Sequence, residues 1–298
     1  MVLTARTMIF NYNAEEMAQS GNLPTRALGR TGHLATLFSL GGEGVLRTFG
    51  QEAEARKVIE RALDLGVNYF DSAPAYAGCL DYLGANLGDR RKDIFLASKT
   101  ADRSRDGSLH ILDDTLRRLR TDHLDLWQLH DIRTRSEVRQ IFSDRGAIHA
   151  LVEARADGRV KHLGLTGHHD PAVLLDAMSR FDFDTVLVPL NCADGHRLSF
   201  LRDVVPVAVT KGMAVIAMKT YSGGLLALPG LPLTAGEALR YALSLDGVAC
   251  AIVGCRTPQE VEQNAEAVRG FVPVDLERRQ QLEKTFTDPR WTPYKATG

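Results

Sequence analysis

The sequence predicts an α/β fold, a (β/α)8 (TIM) barrel, and two observations lead to that prediction. Eight short apolar runs recur at roughly the spacing of one βαβ repeat, and amphipathic segments separate them. Most of the runs are continuously apolar, which is typical of parallel strands covered on both faces. A doubly wound open sheet is the alternative. We favour the barrel because the runs number eight and none leads into a GxGxxG loop.

The predicted strands follow one another at regular intervals. They are Thr36–Leu40, Val67–Phe70, Ile94–Ser98, Leu124–Leu129, His162–Thr166, Thr185–Leu190, Ala214–Met218 and Ala249–Val253. Residues 52–65 and 105–120 carry apolar stripes at helical spacing, and capping boxes at Thr234 and Thr257 predict the starts of two later helices. A last helix is predicted over about residues 276–286.

The chain divides into an extension and one domain. Residues 1–22 show no clear periodicity and are interpreted as an N-terminal extension, whereas residues 23–298 form a single barrel domain. Gly29 and Gly32 punctuate the segment 23–32, which therefore predicts an N-terminal hairpin. A short C-terminal tail follows the last predicted helix.

Composition excludes several classes of partner. The 36 basic and 37 acidic residues give a net charge of −1, so nothing favours nucleic acid or an anionic membrane as partner. The four cysteines have neither CxxC nor zinc-ligand spacing, and no run has the length of a secretory signal or a membrane span. We expect a cytoplasmic protein; the sequence leaves its oligomeric state open.

Polar side chains follow three neighbouring predicted strands. Asp71 and Tyr76 follow the second strand, Lys99 ends the third and His130 ends the fourth. In a barrel these positions share one rim, where the loops after the strands form the active site. A tyrosine hydroxyl is a poor acid at neutral pH unless its anion is stabilised, and a lysine held by a carboxylate can supply that stabilisation. Each residue alone also fits an ordinary structural role; together they indicate a proton donor and a carbonyl-orienting histidine.

The chain resembles the aldo-keto reductase family over residues 25–298. The matching segments are Leu28–Gly32, Gly66–Ala73 followed by Tyr76, Ala97–Thr100, Arg118–His130 and Asp157–Leu165. The resemblance implies NAD(P)H-dependent reduction of a small aldehyde or ketone to an alcohol, or the reverse oxidation. It also implies Tyr76 as proton donor, Lys99 and Asp71 as its tuning pair and His130 as the carbonyl orienter. Two alternatives remain: a cofactor-binding regulatory subunit with little turnover, and a metal-dependent barrel hydrolase or lyase.

A cofactor site is predicted after the last strand. Gly254 and Arg256 precede the helix that begins at Thr257, and a glycine loop that feeds a helix N-terminus is an anion site. The Arg256 guanidinium suits phosphate. The resemblance adds further positions on the same rim: Gly42, Thr166, Asn191, Met218, Lys219, Tyr221, Gln263 and Asn264.

Several of these positions depart from the family pattern. Thr166-Gly167 replaces a Ser-Asn pair, Asn191 is a candidate substitute for a missing glutamine, and Met218 stands where an aromatic residue is usual. The carboxylate of Glu260 would repel the 2′-phosphate of NADP(H), which the guanidinium of Arg256 would attract. We therefore expect a modest preference for NADP(H) over NAD(H).

The adjacent pair His168-His169 suggests a metal site at first sight. No third ligand lies at a usable sequence spacing. The sequence therefore predicts no metal.

Overall fold

Eight parallel strands close into a barrel in chain order, which confirms the predicted fold class. The computed structural model describes residues 22–296, so most of the predicted extension lies outside the described residues. The barrel strands are β3 (Phe38–Gly44), β4 (Tyr69–Asp71), β5 (Phe95–Thr100), β6 (Leu124–Leu129), β7 (Val160–Thr166), β8 (Thr185–Pro189), β9 (Ala214–Met218) and β10 (Val248–Cys255). The barrel closes where β10 pairs with β3, and Ala251 lies opposite Phe38 in that pairing.

The predicted N-terminal hairpin is present, but it extends further than expected. Its antiparallel strands are β1 (Thr25–Ala27) and β2 (Leu34–Thr36). The prediction ended the hairpin at residue 32 and assigned Thr36 to the first barrel strand. Both were wrong, because a single apolar run continues across the boundary between β2 and β3. The Cα of Gly29 lies so close to Ala214 that an added Cβ would be 2.5 Å from its backbone nitrogen, so the hairpin covers the amino-terminal end of the barrel.

Helices cover the outside of the barrel. They are α1 (Glu52–Asp64), α2 (Cys79–Asn86), α3 (Arg105–Leu119), α4 (Arg135–Ile141), α5 (Ala147–Ala156), α6 (Pro171–Arg180), α7 (Phe200–Asp203), α8 (Val205–Thr210), α9 (Ala235–Leu243), α10 (Pro258–Val268) and α11 (Leu276–Thr285). The apolar stripe of α1 is fully buried. The side chains of Thr234 and Thr257 accept backbone N–H bonds from Glu237 and Glu260 at the starts of α9 and α10, which is one of the two bonds of each predicted capping box.

Two apolar layers hold these elements together. One fills the barrel and contains Tyr69, Phe95, Leu126, Leu187 and Ile216 among others. The larger layer lies between strands and helices. Within residues 22–296, no helix combines the length and hydropathy needed to cross a bilayer.

The C-terminal tail is fastened across the rim where the strands end. Lys295 is 3% exposed, and its Nζ lies 2.8 Å from Asp194 Oδ1 and donates to the Arg197 carbonyl at 2.7 Å. Tyr294 Oη accepts a hydrogen bond from Asn191 Nδ2 at 2.8 Å. The tail therefore forms part of the surface around the barrel mouth.

Candidate active site

A buried ion pair connects the carboxyl ends of two neighbouring strands. Lys99 Nζ lies 2.5 Å from Asp71 Oδ2 and donates to the Ser72 carbonyl at 2.8 Å. Both side chains are almost fully buried. Lys99 is opposite Gln128 in the β5–β6 register, and Gln128 Nε2 donates to Asp71 Oδ1 at 3.4 Å. The sheet register thus fixes the lysine and the carboxylate against each other.

Tyr76 lies over this pair. Lys99 Nζ is 4.9 Å from the centroid of the Tyr76 ring, and the His130 ring is 5.7 Å away in a nearly perpendicular arrangement. Gly42 backs the tyrosine, because a Cβ on Gly42 would lie 2.6 Å from Tyr76 Cδ2. The structure therefore brings together Asp71, Tyr76, Lys99 and His130, which we call the tetrad, and it packs Gly42 against the tyrosine.

Burial sets the protonation states of Tyr76 and His130. Burial raises the pKa of Tyr76 well above its usual value, and Asp71 and Glu43 raise it further, so the hydroxyl carries its proton at neutral pH. Burial, helped by the Lys99 ammonium, lowers the pKa of His130 to about 3. A protonated tyrosine and a neutral imidazole therefore face the same space.

The end of β9 supplies a partly exposed surface beside the tetrad. Met218, Lys219 and Tyr221 are all partly exposed there. Tyr221 Oη donates to Asn264 Oδ1 at 2.5 Å, so two of the predicted cofactor positions are in direct contact. Asn264 lies on α10, and this bond ties the loop after β9 to the helix after β10.

Asn191 and Thr166 are committed to contacts within the protein. Asn191 Nδ2 donates to the Lys219 carbonyl at 2.9 Å as well as to the Tyr294 hydroxyl, and its Oδ1 accepts from the Ala193 amide. Thr166 Oγ1 accepts from the Asp131 amide at 2.8 Å. Both side chains are buried, and both hold the loops around the mouth in place.

The start of α10 carries opposite charges. Arg256 is exposed, and its backbone N–H donates to Glu260 Oε2 at 2.7 Å. Gln263 is also exposed and lines a surface groove with Arg61 and Arg269. The exposed guanidinium can therefore meet an anion from solvent, whereas the carboxylate already occupies the helix start.

Glu43 and Arg47 lie at the mouth and were not singled out in the sequence. Glu43 Oε1 lies 2.9 Å from Arg47 Nη1 and 3.5 Å from Lys219 Nζ. The Arg47 guanidinium carbon is 5.4 Å from the centroid of the Tyr76 ring. The sequence does contain a signal for Glu43: it is an acidic residue that directly follows Gly41-Gly42 near the end of a strand, on the rim that also carries Asp71.

His168 and His169 lie beside a carboxylate that their spacing in the sequence does not reveal. Asp131 Oδ1 lies 3.1 Å from His168 Nδ1 and 3.5 Å from His169 Nε2. Asp131 comes from the loop after β6, and the two histidines come from the loop after β7. Parallel strands place consecutive loops side by side, so the distance along the sequence concealed the contact.

The described residues fit a nicotinamide cofactor. Lys219 and Arg256 place two cations near the ends of the paired strands β9 and β10, which suits a dinucleotide's phosphates. Met218 and Tyr221, which lie on either side of Lys219 in the sequence, present partly exposed polarizable or flat surface. Gly254 allows β10 to pack closely against β3 at this edge, since its Cβ position would lie 2.5 Å from Glu43 Cβ.

Comparisons with known proteins agree with this geometry. The sequence model of the Aldo/keto reductase family matches residues 38–228. L-galactose dehydrogenase of Arabidopsis thaliana is 29% identical, over 82% of this chain and 87% of its own. Pyridoxal 4-dehydrogenase of Microbacterium luteolum is 25% identical, over 92% of this chain and 97% of its own. An aldo-keto reductase of Bacillus halodurans, in its holo form, superimposes with a TM-score of 0.74 at 25% identity, covering 88% of this chain and 96% of its own. The chain belongs to the aldo/keto reductase family and is an NAD(P)-dependent oxidoreductase that interconverts carbonyl and alcohol groups.

Proposed function

We propose that Tyr76 is the proton donor of this oxidoreductase. A nicotinamide cofactor supplies the hydride that reaches the carbonyl carbon. Tyr76 gives its hydroxyl proton to the carbonyl oxygen, which completes the alcohol; in the reverse direction it takes that proton back. The observation that carries this role is the packing of the Tyr76 ring against both the Lys99 ammonium, at 4.9 Å, and the His130 ring, at 5.7 Å.

Lys99 and Asp71 tune the donor. As the proton leaves, negative charge develops on the tyrosine oxygen in a buried site where burial opposes that charge. The nearby ammonium stabilises it, and Asp71 keeps the ammonium in place through the 2.5 Å contact. His130, neutral at working pH, donates an N–H to the carbonyl oxygen and orients it.

The cofactor site extends from the tetrad to α10. We assign Met218, Lys219, Tyr221, Gly254 and Arg256 to its surface, with Asn264 positioning Tyr221. Gln263 lies at the outer end of this surface. Gly42, Thr166 and Asn191 support it through packing and hydrogen bonds. Arg256 favours a 2′-phosphate, and we propose a modest preference for NADP(H) over NAD(H).

The substrate is proposed to be a small hydroxylated aldehyde or the corresponding alcohol. Support comes from the similarity to a dehydrogenase of L-galactose, itself a polyhydroxylated aldehyde. The charged residues Glu43 and Arg47 make the mouth polar, which suits hydroxyl groups.

Residues 23–298 are proposed to act as one domain. A cytoplasmic location is supported by four free, buried cysteines.

Turnover with defined substrates tests the proposal. Purified protein is assayed by cofactor absorbance. The oxidation direction uses polyols and also aldoses, whose cyclic form presents a hemiacetal hydroxyl group; the reduction direction uses small aldehydes and hydroxylated aldehydes. Both cofactors are used in each direction. We expect turnover with hydroxylated substrates, and faster turnover with NADP(H). Cofactor binding without turnover on any substrate would contradict the proposed chemistry.

A further inference from the structure

Two loops at the barrel mouth bring together three groups that can ligate a metal. Asp131 Oδ1 lies 3.1 Å from His168 Nδ1 and 3.5 Å from His169 Nε2. Each residue can offer one ligand atom such that all three atoms lie within 4.8 Å of one another. The three side chains are between 13% and 23% exposed, so the cluster is shielded yet reachable from solvent.

Backbone contacts hold the two loops together independently of these side chains. Thr166 Oγ1 accepts from the Asp131 amide, and the Thr166 carbonyl accepts from the Ile132 amide at 2.9 Å. Gly167 permits this approach, because its Cβ position would lie 3.0 Å from the Ile132 carbonyl oxygen. Asp131 itself has a φ of 49°, in the left-handed region. The cluster is therefore built by the fold before any ligand arrives.

Two polar atoms of the cluster are buried without a hydrogen-bond partner among the described residues. They are Asp131 Oδ1 and His169 Nε2. The other carboxylate oxygen, Oδ2, accepts from Arg133 Nε at 2.6 Å and is satisfied. A buried polar atom without a well-aligned hydrogen bond is unfavourable. These two atoms lie 3.5 Å from each other, so one bound ion can contact both.

We propose that Asp131, His168 and His169 bind a zinc ion through Oδ1, Nδ1 and Nε2. Zinc bonds of about 2.0–2.2 Å in a tetrahedral site place ligand atoms roughly 3.3–3.6 Å apart, close to the two distances that Asp131 Oδ1 makes. One carboxylate and two imidazoles form a three-ligand set, which leaves a fourth position for water. The ion satisfies both unpaired atoms. Asp131 directly follows His130, so the site lies beside the tetrad and outside it.

Zinc binding is measured on untagged protein that has been treated with EDTA and then dialysed. Calorimetric titration with zinc chloride should show about one site per chain. Asp131→Asn and His169→Gln should each weaken binding at least tenfold. The control is His110→Gln, which removes an exposed histidine from α3 and should bind zinc as the unmodified protein does.

Folding of each variant is checked by circular dichroism and by cofactor binding. If a variant does not fold, zinc-edge X-ray absorption on the unmodified protein replaces it and should report two imidazoles and oxygen ligands. No stoichiometric binding would overturn the proposal. So would unchanged affinity in both folded variants, or an absorption spectrum without imidazole scattering.

Discussion

The carboxylate of Glu260 accepts a hydrogen bond from the backbone amide of Arg256 at 2.7 Å. An acidic group thus lies at the start of α10, where the helix dipole favours anions. A 2′-phosphate bound there would meet the exposed guanidinium of Arg256 and the carboxylate of Glu260 together. This pairing is why we expect the preference for NADP(H) to be modest.

Removing the guanidinium of Arg256 should weaken the binding of NADPH more than that of NADH. Arg256→Ala should raise the Kd for NADPH about tenfold and leave that for NADH nearly unchanged, since a hydrogen bond to a charged group contributes about 1.5–3 kcal/mol and solvent screens an exposed one. Fluorescence quenching titrations with both cofactors measure this. Equal losses for the two cofactors would show that Arg256 binds a phosphate they share.

Neutralising the carboxylate should act in the opposite direction. Glu260→Gln keeps an acceptor for the Arg256 amide and removes the charge that repels the phosphate. In the same titrations, the Kd for NADPH should fall and the Kd for NADH should stay unchanged. Weaker binding of NADPH by this variant would be inconsistent with repulsion by Glu260.

Breaking the buried ion pair should reduce stability as well as activity. Lys99→Met leaves the Asp71 carboxylate buried without its cation, and loss of one partner of such a pair costs about 3–5 kcal/mol. Urea unfolding measures the loss, with Lys57→Met on the exposed face of α1 as control. The double variant Asp71→Asn with Lys99→Met should recover part of the stability. A single variant as stable as the unmodified protein would mean that the pair is not coupled.

Two half-buried histidines should make the fold less stable at low pH. Burial lowers the pKa of His130 to about 3 and that of His168 to about 4, so both stay neutral in the folded chain at pH 5. In the unfolded chain they bind protons below about pH 6.5. The unfolded state therefore binds more protons, and stability falls as pH drops from 6.5 towards 4, by up to about 2 kcal/mol per histidine at pH 5.

Urea unfolding in EDTA at pH 7 and pH 5 tests this dependence. His168→Gln should lose less stability between the two pH values than the unmodified protein. His110→Gln, which removes an exposed histidine, should keep the full dependence. An identical pH dependence in all three proteins would show that His168 titrates normally in the folded chain.

Much of the fold and the whole tetrad could be predicted, because both depend on local patterns. Apolar runs mark the strands, and parallel strands deliver their end residues to one rim. The boundary between β2 and β3 could not be read, since one apolar run spans both. Contacts between distant loops were equally hidden: Asp131 meets His168 and His169, and Tyr294 of the tail engages Asn191. Only the closed barrel and the docked tail bring these residues together.

The most direct measurement is the turnover of Tyr76→Phe, which removes the hydroxyl and keeps the ring. General acid catalysis is worth roughly 10²–10⁴ in rate, so kcat should fall by about that factor while cofactor affinity stays within about twofold. Tyr82→Phe, a matched substitution of a buried tyrosine outside the tetrad, should retain most of its activity. Near-normal turnover by Tyr76→Phe, with cofactor binding intact, would contradict the assignment of Tyr76 as proton donor.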